Sequence, residues 1–108
     1  MSRRLEFFYD YVSPFSYLAD TQLAGLAERS GAEIVYRPFF LGGVMQAAGN
    51  SPPMTVAAKG RHMPVDIQRW CAEYGVTVNP NPHFPVNTIT AMRGALVALQ
   101  DGVFPAYH

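Results

Sequence analysis

"YDYVSPFSYLAD", residues 9–20, is the stretch that decides the fold. The run leading into it, Leu5–Tyr11, mixes aromatic and aliphatic side chains without clean alternation, the pattern of a strand buried on both faces. Ser13-Pro14 breaks that run. Beyond it Phe15, Leu18, Ala19, Leu23, Leu26 and Ala27 fall at helical spacing, which predicts a helix over residues 14–29. Serine is a favoured N-cap and proline a favoured first helical residue, so Ser13 is expected to take a backbone N–H from Phe15 or Ser16. Gly31 suits the left-handed residue that closes a helix. Ala32–Phe40 then reads as a second strand. Strand, helix and strand with short joints make a βαβ unit, which pairs its strands in parallel through a right-handed crossover.

Downstream the pattern changes to helices alone. Gly42-Gly43 leads into a short helix expected over Val44–Ala48, followed by a Gly49–Pro53 loop. Pro64 reads as the start of a helix over Val65–Tyr74 that Gly75 ends. Asn79–Pro85 is extended and punctuated by prolines, and Asn87 reads as the N-cap of a helix over Thr88–Gln100 that Gly102 stops. Two parallel strands are too few to close a core, so a partner chain or a longer natural protein is expected to supply more.

Composition narrows the function classes. The 108 residues suffice for one small domain, and 49% hydrophobic against 15% charged residues describes a packed chain. Net charge is zero, so no basic field recruits nucleic acid or an anionic membrane. The N-terminal Met1-Ser2-Arg3-Arg4 has no apolar segment behind it, and neither a signal peptide nor a membrane span is expected. Cys71 is the one cysteine, which rules out an intrachain disulfide and reads as a small buried hydrophobe. His62 and His83 lack metal-ligand spacing, and no metal is expected.

The Ser13 junction also carries chemistry. A helix start offers free N–H groups and a partial positive charge, which favour an anion and lower the pKa of a thiol placed there. A strand followed by C-x-x-C at a helix start opens a thioredoxin-type fold. Here the two cysteine positions are Ser13 and Ser16, so dithiol redox chemistry is excluded, and a thiol would have to arrive with a ligand. Asp10 reads as a solvated strand-end charge, with orientation of Ser13 as the alternative.

"FFYDYVSPFSYLA" (7–19), "YRPFFLGGVMQAAGNSPP" (36–53), "AAKGRHMPVDIQRWCAEYGV" (57–76) and "NPHFPVNTITAMRGALVAL" (81–99) together resemble the 2-hydroxychromene-2-carboxylate isomerases and kappa-class glutathione transferases, in the same order as in that family. The resemblance covers about residues 5–100. It implies a thioredoxin-like (DsbA-like) α/β fold with an inserted helical domain. Residues 1–40 would be the first βαβ half of the thioredoxin-like domain, residues 41–108 part of the helical insertion, and the C-terminal half of the family fold would be absent. Ser13 would be the catalytic residue against the glutathione sulfur. Ser13, Asn50 and Lys59 would bind glutathione, Lys59 being the one lysine in the chain. By default Asn50 is a turn residue and Lys59 a solvated charge, and only the resemblance raises them to ligand contacts. The implied activity is a glutathione-dependent isomerisation of 2-hydroxychromene-2-carboxylate without redox change. The alternatives are a kappa-class glutathione transferase and an inactive truncated member of the family. The further implications are a small aromatic substrate and a homodimer when full length, while the single cysteine and the lack of a signal peptide fit a cytoplasmic setting.

Overall fold

The computed structural model describes residues 3–108. β1 (Arg3–Tyr9), α1 (Pro14–Ser30) and β2 (Ala32–Pro38) form the βαβ unit, and the two strands pair in parallel from Arg3 opposite Ala32 to Tyr9 opposite Pro38. α1 ends at Gly31, whose φ of 70° is the left-handed value expected there and whose N–H donates to the Ala27 carbonyl at 2.8 Å. α2 (Leu41–Ala47), a 3-10 turn (Pro53–Thr55), α3 (Ala57–Tyr74), α4 (Ile89–Gln100) and a single-turn α5 (Phe104–Tyr107) follow.

The sheet is covered on one face, not two as the sequence predicted. Phe7 and Tyr9 of β1 and Tyr36 of β2 share that face. α4 supplies Met92, Ala95 and Ala98 to it and α5 supplies Phe104. α1 joins the same face, where the Tyr36 hydroxyl donates to Asp20 Oδ1 at 3.1 Å. With all three helices on one side, Phe8 on the other face remains 60% exposed. There an exposed Arg37–Glu6 ion pair at 3.7 Å crosses the strands and contributes little. A second, smaller core packs Leu18 of α1 against Ile67 and Cys71 of α3, with Met63, Tyr74, Val76 and Val78 around it. Cys71 is buried there as a small hydrophobe, as expected.

Two helices begin earlier than predicted. α3 starts at Ala57 and runs through Pro64, which therefore sits inside the helix and does not open it. Its first turns rest on a tertiary contact: a Cβ on Gly60 would come within 3.2 Å of the Met54 carbonyl oxygen, so glycine lets the 3-10 turn lie directly on the helix. α2 begins at Leu41, not Val44. Phe40 offers no side-chain cap, and the Leu41 N–H donates instead to Asp10 Oδ2 at 2.8 Å, a cap supplied from across the molecule.

Candidate functional site

The site grows out of the turn that ends β1. The Asp10 carboxylate accepts the Val12 N–H at 2.9 Å, an Asx turn that bends the chain out of the strand. The Asp10 carbonyl accepts the Ser13 N–H at 3.1 Å. Ser13 keeps an extended backbone (φ −87°, ψ 118°), and Pro14 begins α1 with φ already set for a helix. Ser13 Oγ then accepts the Ser16 N–H at 3.2 Å, and the Ser13 carbonyl accepts the Tyr17 N–H at 3.2 Å. Pro14 has no N–H. Phe15, one residue on, has no intrahelical acceptor. The junction therefore presents one peptide donor, the Ser13 hydroxyl hydrogen and the positive end of the α1 dipole.

Ser13 lines a cleft of about 520 Å³ with Tyr11, Tyr17, Met63, Ile67 and Phe84. Its walls come from the β1–α1 turn, from α3 and from the proline-punctuated segment, which brings Asn79 and Asn81 to the lining. A volume of this order suits a small organic ligand, and the mixture of apolar walls with a few polar groups is usual for such sites.

Asn50 and Lys59 lie outside the lining of this cleft. Asn50 sits in the exposed loop after α2, beside Gly49 at φ 70°, and its Oδ1 accepts the Ser51 N–H at 2.9 Å. Lys59 is exposed in the first turn of α3 and makes no ion pair among the described residues. Lys59 is itself a residue of α3. The 3-10 turn that follows Asn50 packs on the first turns of that helix. Lys59 precedes the cleft residue Met63 by four positions, which puts the two on one helix face about 6 Å apart along the axis.

Asp10 is no solvated strand-end charge. It is 1% exposed, and Oδ1 accepts the Thr88 hydroxyl at 2.6 Å in addition to the Val12 N–H. With Leu41 on Oδ2, one buried carboxylate ties together the Ser13 turn, the start of α2 and the start of α4. It accounts for the cap of α4 as well. Thr88 occupies the N-cap position but gives its hydroxyl to Asp10, while Asn87 Oδ1 takes the Ile89 N–H at 3.0 Å. The Asx turn was a local signal for Asp10, but partners 31 and 78 residues away leave no local trace.

Beside this turn the aromatic face carries three perturbed hydroxyls. Burial, then the Asp20 carboxylate, pushes the Tyr36 pKa up to about 12. Burial raises Tyr9 further, and it raises Tyr11 as well. All three are held as neutral phenols.

A family model described as DSBA-like thioredoxin domain matches residues 4–108. The chain is 42% identical over 78 residues to 2-hydroxychromene-2-carboxylate isomerase of Sphingobium xenophagum, covering 70% of this chain and 40% of that protein. It is 37% identical over 82 residues to glutathione S-transferase kappa 1 of Caenorhabditis elegans, covering 75% of this chain and 36% of that protein. A solved structure of a 2-hydroxychromene-2-carboxylate isomerase superposes with a TM-score of 0.79 at 29% identity, over 96% of this chain and 51% of that one. The chain thus spans about two fifths of the length of these relatives and about half of the solved structure. No helix is long and apolar enough to cross a membrane among the described residues. The fold is the DsbA-like thioredoxin fold, mixed α/β with a helical insertion, and the chain belongs to the DSBA-like thioredoxin domain family.

Proposed function

We propose that this chain carries the thiol-binding part of a glutathione-dependent isomerase acting on 2-hydroxychromene-2-carboxylate. The observation that carries the reading is Ser13, an N-cap serine standing where dithiol members of such folds have cysteine, and opening on a cleft of about 520 Å³. The family and the names of the relatives support it. In this reading residues 1–40 are the first βαβ half of the thioredoxin-like domain, and residues 41–108 belong to the helical insertion.

The residues present fit a thiol ligand. The Ser13 hydroxyl donates to an anionic sulfur with the lone pair opposite already engaged by Ser16, and the α1 dipole favours the charged form. Lys59, one turn above Met63 on α3, gives a cation for a carboxylate, and Asn50 gives an amide for a peptide group. The apolar walls of Tyr11, Ile67 and Phe84 exclude water from an aromatic substrate. Glutathione, when bound, supplies the activated sulfur nucleophile. No electron acceptor is needed, in keeping with serine at positions 13 and 16.

The test is to incubate the chain with 2-hydroxychromene-2-carboxylate, with and without glutathione, and follow the ring-opened isomer by absorbance. Glutathione-dependent isomerisation supports the reading. Consumption of glutathione with an electrophilic aryl halide, and none with the chromene, favours the second reading, a kappa-class transferase, which the relative from Caenorhabditis elegans motivates.

A further inference from the structure

His108 sits in a ring of aromatic side chains and makes two polar contacts of the kind a proton relay uses. Its Nε2 lies 2.9 Å from Asp20 Oδ1, and its Nδ1 lies 3.0 Å from the Tyr11 hydroxyl. The ring stacks on Phe104 at 4.8 Å and meets Tyr36 at 5.0 Å and Tyr9 at 5.5 Å. The titratable groups that face it are therefore Asp20 from α1, Tyr9 from β1, Tyr11 from the turn and Tyr36 from β2.

The hydrogen atoms in this cluster can be assigned by elimination. A carboxylate only accepts, so His108 carries its hydrogen on Nε2. In the neutral ring Nδ1 then accepts, and Tyr11 must donate to it. The Tyr11 oxygen is left as the acceptor for the Tyr9 hydroxyl at 3.3 Å, and Tyr36 donates to Asp20 Oδ1 at 3.1 Å. Every hydroxyl points the same way along the chain, toward Asp20. Tyr11 is also a wall of the Ser13 cleft.

We propose that Tyr11, His108 and Asp20 form a proton relay in which the Tyr11 hydroxyl is a catalytic acid and base for a substrate in the Ser13 cleft. The proposal rests on the function proposed above. A 2-hydroxychromene bears a hydroxyl and the ring oxygen on one carbon. Opening that ring takes a proton from the hydroxyl, breaks the bond from the carbon to the ring oxygen and returns a proton to the oxygen released. Tyr11 accepts the first proton as its own passes to His108 Nδ1, which leaves an imidazolium beside Asp20. The proton then goes back through Tyr11 to the departing oxygen. One proton leaves and one returns, with no change of oxidation state. Tyr11 remains a phenol at the start and end, in keeping with the burial that raises its pKa. His108 stores the proton, and Asp20 positions and stabilises it.

The experiment compares the parent chain with Tyr11→Phe, His108→Gln and Ser13→Ala. Isomerisation rate is measured across pH, and glutathione thiolate absorbance is measured in the same samples. The expected result is that Tyr11→Phe lowers kcat roughly 100-fold, a usual loss for a general acid–base group, with thiolate absorbance and the KM for glutathione unchanged. His108→Gln should lower kcat as well, again with thiolate absorbance and the KM for glutathione unchanged. Normal turnover in Tyr11→Phe or His108→Gln, with Ser13→Ala inactive, would overturn the relay and leave the glutathione reading intact. Absence of turnover in the parent chain would also overturn the relay. Thiolate absorbance would then report separately on the glutathione reading, which fails if Ser13→Ala leaves that absorbance as it was.

Discussion

The two cores formed by the described residues are built differently. Under the sheet, Tyr9, Phe7, Tyr36, Phe104 and His108 make an aromatic layer whose hydroxyls and ring nitrogens are engaged by Tyr11 and Asp20. Between α1 and α3 the packing is aliphatic, small and open on one side to the cleft. Aromatic pairs fix relative orientation as well as burying area, so the first core sets where β1 ends. The second core only has to form a wall, and Ile67 belongs to both that core and the cleft lining. Asp10 stands at the seam, at the end of the rigid strand and the start of the turn that carries Ser13. A site placed at such a seam gets a fixed floor from one side and an adaptable wall from the other.

The largest expected effect comes from cutting the rigid side. Tyr9 is 2% exposed, and Tyr9→Ala should cost about 3–5 kcal/mol, a large share of the stability of a domain this size. Urea denaturation checks it. Asp10→Asn should cost about 3 kcal/mol, because an amide cannot accept from all three of Val12, Leu41 and Thr88 and must turn an N–H toward one of the donors. That loss should loosen α2 and α4 together, which hydrogen exchange at Leu41 and Met92 reports. Ile67→Ala should cost only about 2 kcal/mol, at the low end for such a change, since the space it leaves joins the cleft.

The aromatic core should also make stability depend on high pH. Tyr36 is held as a phenol with its pKa raised from 10.0 to about 12. A raised folded-state pKa means that its contribution is complete below pH 10 and disappears as pH rises through about 12. Tyr9 acts in the same direction. Denaturation midpoints should therefore fall over that window, and Tyr36→Phe should make the fall shallower. An equal slope in the variant would place the effect elsewhere.

The contrast also shows why some of the molecule could be read from its residues and some could not. The βαβ unit was legible because its signals are local: Ser13-Pro14 to open a helix, Gly31 to close it, β-rich runs on either side. The edges of β1 were less so. Arg3 and Arg4 belong to the strand because Ala32 and Glu33 stand opposite them, a fact of register that hydrophobicity does not report. Pro64 misleads because a proline at a helix start is a good local rule, while the turns before it depend on Gly60 meeting Met54. Ser13 was legible as a cap and as a thiol-binding candidate. The burial of Asp10 and the contact of Tyr11 with His108 leave no local signal, because their partners lie 31, 78 and 97 residues away.

The most direct test of the central claim separates the two roles given to Ser13. Ser13→Asp keeps a favoured N-cap and adds a charge that suits the α1 dipole, so the fold should be unchanged or slightly firmer. The same charge repels an anionic sulfur. Glutathione is titrated into the parent chain and into Ser13→Asp near neutral pH while thiolate absorbance is followed. A thiolate signal is expected in the parent and none in the variant, whose denaturation midpoint should be equal or slightly higher. Equal signals in both would contradict the thiol-binding role and leave Ser13 as a helix cap alone.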